Sequence, residues 1–285
     1  MTNFAPVQGW RLRIEHETGF RYAGNVRASY NEARLTPLTL AGQTTLEARV
    51  DVTPAANLSR YWDYWGTQVT VFDLHEPHEL LQVKGTSVVE TSSAPPLPVP
   101  LGWAEIAAGS ERWYELRVPT PLTAVDASLE STAREVAGDL DPLAAALAVA
   151  NWVRETVAYV RGATGVRTSA HEAYAQRAGV CQDLAHLSVG MLRTVGLPAR
   201  YVSGYIHPSR HAEIGVTGEG QSHAWVEFWV GQWVAWDPTN GAQPAERHVT
   251  VARGRDYDDV APLKGVYRGA PSTSVGVGVQ VTRLA

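Results

Sequence analysis

The hydrophobic period of this chain changes once, from two to about 3.6, and the change falls across a proline-rich stretch. Before it, Trp10, Leu12 and Ile14 alternate with Arg11, Arg13 and Glu15. Phe20-Arg21-Tyr22 continues the theme, and Leu46 to Thr53, Thr67 to Leu74 and Leu80 to Glu90 supply further runs. Alternation puts apolar side chains on one face of a strand, and glycine, proline and asparagine punctuate the runs. An antiparallel β region follows. Residues 91–102 are rich in proline and serine, and Pro119-Thr120-Pro121 is a second break. The sequence therefore predicts a β-rich domain over 1–92, a connecting segment over 93–125 and a second domain over 126–285, in all an α+β chain.

Helical spacing dominates next. Asp141-Pro142 is a start signal, and Leu143, Leu147, Ala150 and Val153 recur at helical intervals towards Tyr159. Ser169 with Glu172 three residues on reads as a capping box for a helix to Arg177. Leu184, Leu187, Ser188, Met191, Leu192 and Val195 trace one face of a third helix, closed by Gly196 and Pro198. Cys181 stands at the start of that helix. Ala199 to Ile206 reads as a strand, followed by a loop with Pro208, Gly215, Gly218 and Gly220. His223 to Val230 and Trp233 to Asp237 then form a hairpin, and Val275 to Val281 alternates again.

Composition excludes several classes. The chain has 285 residues, 45% hydrophobic and 19% charged, enough for a sizeable core and unlike a disordered chain. A net charge of −5 without any Lys/Arg run argues against nucleic acid or an acidic polymer as partner. No window is apolar enough to span a membrane. Met1-Thr2-Asn3-Phe4-Ala5-Pro6 lacks the pattern of a secretory signal, so a cytoplasmic location is the default expectation. A single cysteine rules out an intrachain disulfide and a cysteine-based zinc finger. His207 and His211 are the only loosely metal-like pair among nine histidines, and neither a metal nor a cofactor is expected.

The chemistry begins at Cys181. A thiol becomes a strong nucleophile when ionised, and a helix N-terminus or an adjacent imidazolium favours that state. The same N-terminus offers unpaired N–H groups to an oxyanion. Taken alone, a buried inert cysteine is the commoner case. His223, where a glycine-rich loop enters an apolar strand, supplies a base, although a rim histidine would look the same. Asp237 would orient the base, against the simpler reading of turn initiation at Asp237-Pro238. Register decides whether they meet. A two-residue turn at Gly231-Gln232 sets Asp237 opposite Val226, on the face away from His223. A loop of Val230, Gly231 and Gln232 sets it opposite Trp225, diagonal to His223 on the same face. We therefore expect the three-residue loop or a bulge.

These stretches resemble the transglutaminase-like superfamily of thiol enzymes, related to papain-like proteases. The resemblance lies in Thr168-Ser169-Ala170, Gly179-Val180-Cys181-Gln182-Asp183-Leu184-Ala185-His186, and Gly196-Leu197-Pro198-Ala199-Arg200-Tyr201-Val202-Ser203-Gly204-Tyr205. It continues through Ser222-His223-Ala224-Trp225-Val226-Glu227 and Asp237-Pro238-Thr239-Asn240-Gly241. The β-rich start and Gly254-Arg255-Asp256-Tyr257-Asp258-Asp259-Val260-Ala261-Pro262-Leu263-Lys264-Gly265-Val266 are similar to a bacterial branch carrying an N-terminal β domain. The resemblance implies a papain-like core with the nucleophile at a helix N-terminus packed on an antiparallel sheet. It also implies that Cys181 attacks an amide to give a thioester, that His223 moves the proton and that Asp237 holds His223. The oxyanion would lie on the Cys181 N–H, with Tyr159, Trp152 or Gln182 as second donor.

Asp183 reads as a first-turn residue favourable to the helix dipole, and Arg255 with Asp256 as a structural ion pair. Trp225 and Trp236 are expected to wall the triad from water. Three functions follow: an amide hydrolase acting on a peptide or protein, an acyl transferase to an amine, or a binding module with a vestigial triad. Hydrolysis is preferred because water is the default acceptor and no calcium loop of the DxDxDG type occurs. A homo-oligomer is allowed for.

Overall fold

The structure is a computed structural model that describes residues 9–285; Met1–Pro6, read above for a targeting signal, lies outside them. The alternation at Trp10 runs on into one long strand, β1 (Gly9–Ala33), with Trp10, Leu12, Ile14 and His16 inward. Then come β2 (Gln43–Thr53), β3 (Leu58–Trp62), β4 (Gln68–Leu74) and β5 (His78–Ser92). β5 lies antiparallel along the first half of β1, and β2 pairs with β5. The far end of β1 pairs with β4, which carries β3.

Residues 93–102 form no helix or strand, in keeping with their prolines. Two helices then form that the hydrophobic period did not signal, α1 (Trp103–Ala108) and α2 (Ala127–Ala137), with a 3-10 turn at Ser110–Leu116 between them. Their starts are capped. Glu105 accepts from the Gly102 N–H at 2.9 Å, and Asp126 accepts from the Leu129 N–H at 2.8 Å. α2 buries only Leu129, Ala133 and Ala137, a stripe too narrow to stand out between its serines and threonines.

The expected helices follow. Asp141 caps α3 (Pro142–Thr156) by accepting from the Leu143 and Ala144 N–H groups, both at 3.0 Å. After β6 (Ala158–Tyr159), Ser169 and Glu172 close the capping box of α4 (Ala170–Gln176). β7 (Ala178–Gly179) pairs parallel with β6 and leads into α5 (Cys181–Thr194). Leu184, Leu187, Met191 and Leu192 on α5 are fully buried, so truncating either of its deep leucines 184 or 187 to alanine should cost about 2–5 kcal/mol.

The remaining elements are β8 (Ala199–Ile206), β9 (Thr217–Trp229), β10 (Trp233–Trp236), β11 (His248–Gly254), α6 (Tyr257–Val260), β12 (Leu263–Arg268), β13 (Ser272–Ser274) and β14 (Gly278–Arg283). β9 begins before His223, so Gly218 and Gly220 lie in a strand rather than in the expected loop. The reason is close approach. A Cβ at Gly220 would stand 2.6 Å from Val281 Cγ2, and one at Gly218 2.6 Å from Pro208 Cγ. β14 pairs with β9 on one edge and β1 on the other, so one sheet runs β11-β8-β9-β14-β1-β4-β3. Trp10, Leu12 and Ile14 of β1 share a core with α5, β8 and β9, while Tyr22, Val26, Phe72 and Leu81 form a second core. Among the described residues no helix is long and apolar enough to cross a membrane.

His16 of β1 meets Tyr205 of β8 inside this sheet. The Tyr205 hydroxyl lies 2.9 Å from His16 Nδ1, and His16 Nε2 has no partner. Burial holds His16 down at about 4 and, on α5, holds His186 down at about 3. Both histidines take up a proton more readily unfolded than folded. Their contribution is whole above about 6.5 and is lost as pH falls towards the folded values. Urea denaturation should therefore show a fall in stability from pH 7 to 4.5. The fall should be smaller in His16→Asn, which keeps an acceptor near Nδ1; an equal fall in both proteins refutes the assignment.

Candidate active site

The hairpin forms the three-residue loop. Trp233 pairs with Trp229 and Trp236 with Val226, which sets Asp237 opposite Trp225. The Val230 N–H donates to the Gln232 carbonyl at 3.1 Å, and Gly231 takes φ +106°, a conformation that favours glycine. A Cβ there would also stand 2.7 Å from Leu101 Cγ. The consequence is geometric: Asp237 Oδ2 lies 2.7 Å from His223 Nε2.

Cys181 lies close enough to His223 to help raise its pKa, so thiol, imidazole and carboxylate come together at one place. Nε2 is committed to Asp237, which leaves Nδ1 as the other ring nitrogen. Burial opposes a charge on His223, but the Asp237 charge and hydrogen bond, with Cys181 beside them, outweigh it and hold its pKa up at about 10. Burial likewise opposes the Asp237 charge. The His223 charge and hydrogen bond, with His248, overcome it and hold Asp237 well below the usual carboxylate range. At neutral pH the pair is therefore imidazolium and carboxylate. By linkage, the His223 contribution to stability is whole below about 6.5 and fades as pH rises towards 10; that of Asp237 is present above about 4 and fades in acid.

Asp237 is saturated with donors. Oδ1 accepts from the Thr239 N–H at 2.9 Å and the Asn240 N–H at 3.1 Å. Oδ2 accepts from Asn240 Nδ2 at 2.6 Å, besides His223, and lies 3.2 Å from His248 Nε2. His248, at the start of β11, carries no signal in the sequence; only its strand's pairing with β8 brings it here. His223 Nε2, Asp237 Oδ2 and His248 Nε2 lie within 4.8 Å of one another, a spacing a metal ion can use. The donor set does not suit one, because the Asn240 amide N–H already points at the same oxygen and a cation would have to displace it.

Trp225, 1% exposed, packs at 6.1 Å between ring centroids from His223 and 5.6 Å from His248, and so shields this row from water. Trp236 is part-buried against the main core. Cys181 is itself part-exposed in a cleft of about 310 Å³, lined also by Tyr159, Arg161, Gln182 and Ser222. Tyr159 reaches this cleft because β6 pairs with β7 just before the thiol. Gln182 also borders it, but its amide Nε2 is spent on the Gly165 carbonyl at 2.7 Å. Trp152 packs on Tyr174, with ring centroids 5.9 Å apart, and is not among the residues lining the cleft. A larger cavity of about 990 Å³ lies towards Phe20, Tyr30 and Val266, but no thiol or imidazole lines it.

Asp183 acts on the backbone. Its Oδ2 accepts from the Val180 N–H at 2.7 Å and from Thr164 Oγ1 at 2.5 Å, fixing the chain just ahead of Cys181. A Cβ on Gly179 would stand 2.8 Å from that side chain, so glycine is needed there. His186 is not at the thiol's service; its Nε2 accepts from the Tyr257 N–H at 3.1 Å. The expected pairing of Arg255 with Asp256 is not formed. Arg255 bonds Asp259 at 2.9 Å, one helical turn on, while Asp256 caps α6 by accepting from the Asp258 N–H at 2.8 Å.

Comparison with known proteins agrees with this architecture. Residues 130–238 match the model of the transglutaminase-like superfamily, and residues 12–90 that of the bacterial transglutaminase-like N-terminal region. An uncharacterized protein of Mycobacterium leprae is 46% identical over 97% of this chain and all of that protein. One of Mycobacterium tuberculosis is 33% identical over 97% of this chain and 94% of its own length. A protein-glutamine gamma-glutamyltransferase of Pseudomonas aeruginosa is 30% identical over 56% of this chain and 25% of that protein. Among solved structures, a candidate cysteine protease from Cytophaga hutchinsonii superposes with TM-score 0.77 at 21% identity, covering 98% of this chain and 92% of that one.

Proposed function

This chain belongs to the transglutaminase-like superfamily, and from that premise we propose that it is a thiol-dependent amide hydrolase acting on a peptide or protein. The observation that carries the reading is the row Cys181–His223–Asp237, closed at 2.7 Å between His223 Nε2 and Asp237 Oδ2, with the thiol at the N-terminus of α5.

In the proposed reaction, the resting site holds the thiol proton on His223, so that Cys181 is a thiolate and Asp237 stabilises the imidazolium beside it. Cys181 Sγ adds to the amide carbonyl, and the oxyanion forms against the N–H groups of the first turn of α5. Of the side chains considered as second donor, Tyr159 has the best claim, because Gln182 is committed to Gly165 and Trp152 to Tyr174. His223 then gives its proton to the leaving amine, and a thioester remains. Water entering the part-exposed cleft releases the acid and restores the thiol. Transfer of the acyl group to a primary amine uses the same thioester and is the second reading, favoured by the Pseudomonas relative.

Alkylation of the only thiol tests the proposal. With iodoacetamide at pH 6, Cys181 should react at least about tenfold faster than free cysteine, and His223→Ala should remove the advantage. Equal rates would leave a binding module as the answer. An activated thiol should also gain the acyl mass from blocked peptide amides. Comparing release by water with release by hydroxylamine separates hydrolysis from transfer.

A further inference from the structure

We infer that His248 is a positioning residue of this site, holding Asp237 in the orientation that serves His223; the inference rests on the thiol-enzyme reading above. Two contacts fix its state. The Ala245 N–H donates to His248 Nδ1 at 3.2 Å, so that nitrogen carries a lone pair and the ring proton sits on Nε2. Nε2 faces Asp237 Oδ2 at 3.2 Å and must therefore be the donor. Burial lowers the His248 pKa, in keeping with a neutral ring.

His248 thus differs in kind from His223, although both bond the same oxygen. His223 is the charged partner and moves protons. His248 is neutral, 7% exposed, packed edge-on against Trp225, and touches no reacting atom. What it contributes is direction. Oδ2 takes donors from three sides: His223 on β9, Asn240 in the turn after β10, and His248 on β11. Asn240 is in turn held by Arg247 Nη2, at 2.9 Å from its Oδ1. His248 at the start of β11, and Arg247 just before it, therefore tie the carboxylate to a part of the chain that carries neither Cys181 nor His223. Outer partners that orient the ligands of metal sites matter by about 10–100-fold, and the same scale is expected for a partner that orients a carboxylate.

The test separates orientation from plain structure with two polar variants. His248→Gln can place an amide N–H near Nε2 and keep the donor to Asp237, but loses the acceptor for Ala245. His248→Asn does the reverse. Iodoacetamide alkylation of Cys181 at pH 6 should stay within about threefold of the parent in His248→Gln and fall about tenfold in His248→Asn. The opposite order, or equal rates in both, overturns the inference. A parent thiol no faster than free cysteine, unaffected by His223→Ala, instead overturns the thiol-enzyme reading. Should either variant fail to fold, imidazole 15N spectra of the unaltered protein decide. A neutral His248 protonated on Nε2 is expected, and protonation on Nδ1 refutes the assignment.

Discussion

Asp237→Asn should lower the rate of thioester formation at pH 7 by about 10³-fold while leaving the fold intact, because a neutral amide cannot stabilise the imidazolium that the charged carboxylate holds. The variant is nearly isosteric and keeps an oxygen for the Thr239 and Asn240 N–H groups. It loses the charge that raises His223 to about 10. It also brings an amide N–H to an atom on which His223, Asn240 and His248 converge, so a donor faces donors. Two readouts check it: the burst of acyl-enzyme from a blocked peptide amide, and iodoacetamide alkylation of Cys181, both scaled to folded protein. A loss below about tenfold in both would show that His223 needs no charged partner, and would remove Asp237 from the proposed triad.

Arg193→Met should be the most destabilising single change, costing at least about 3 kcal/mol in urea denaturation, because buried acceptors left without donors each carry a penalty of about 1–3 kcal/mol. Arg193 lies on the sheltered side of α5, 6% exposed. Nε donates to the carbonyls of Leu116 at 3.0 Å and Ala199 at 3.1 Å. Nη1 reaches the Val118 carbonyl at 3.0 Å and Thr123 Oγ1 at 3.1 Å. Nη2 reaches the carbonyls of Ala199 at 2.9 Å and Arg255 at 2.8 Å. One guanidinium thus ties the connecting segment, β8 and the entry to α6 to the helix that begins at Cys181. Burial pushes its pKa down only to about 10, so it stays charged at neutral pH. Arg193→Lys should recover part of the loss, since an ammonium cannot reach all five partners. A cost under about 1 kcal/mol for Arg193→Met would show that water replaces the guanidinium without penalty.

What the sequence made legible was local. The capping signals of α3 and α4, the apolar face of α5 and the glycine that follows it are each contained within a few residues. The hairpin register was also legible, because strand alternation leaves only two choices for Asp237 and only one brings it to His223. Contacts assembled over long separations were not. His248 lies in an ordinary strand sequence and acquires meaning only when β11 pairs with β8. Arg193 carries no signal in the sequence, because its partners meet only when the connecting segment folds over it. Gly218 and Gly220 read as a loop because their partner strand, β14, stands some sixty residues further along the chain.

β14 shares hydrogen bonds with β1 on one side and with β9 on the other, and β9 carries His223. The two halves of this molecule are therefore one woven object rather than beads on a string. Exchanging the N-terminal half for that of a distant relative would have to preserve a strand-to-strand register on both edges of β14, or His223 would shift with its strand. Such a chain can change its loops alone, but a change of register in one half has to be matched in the other.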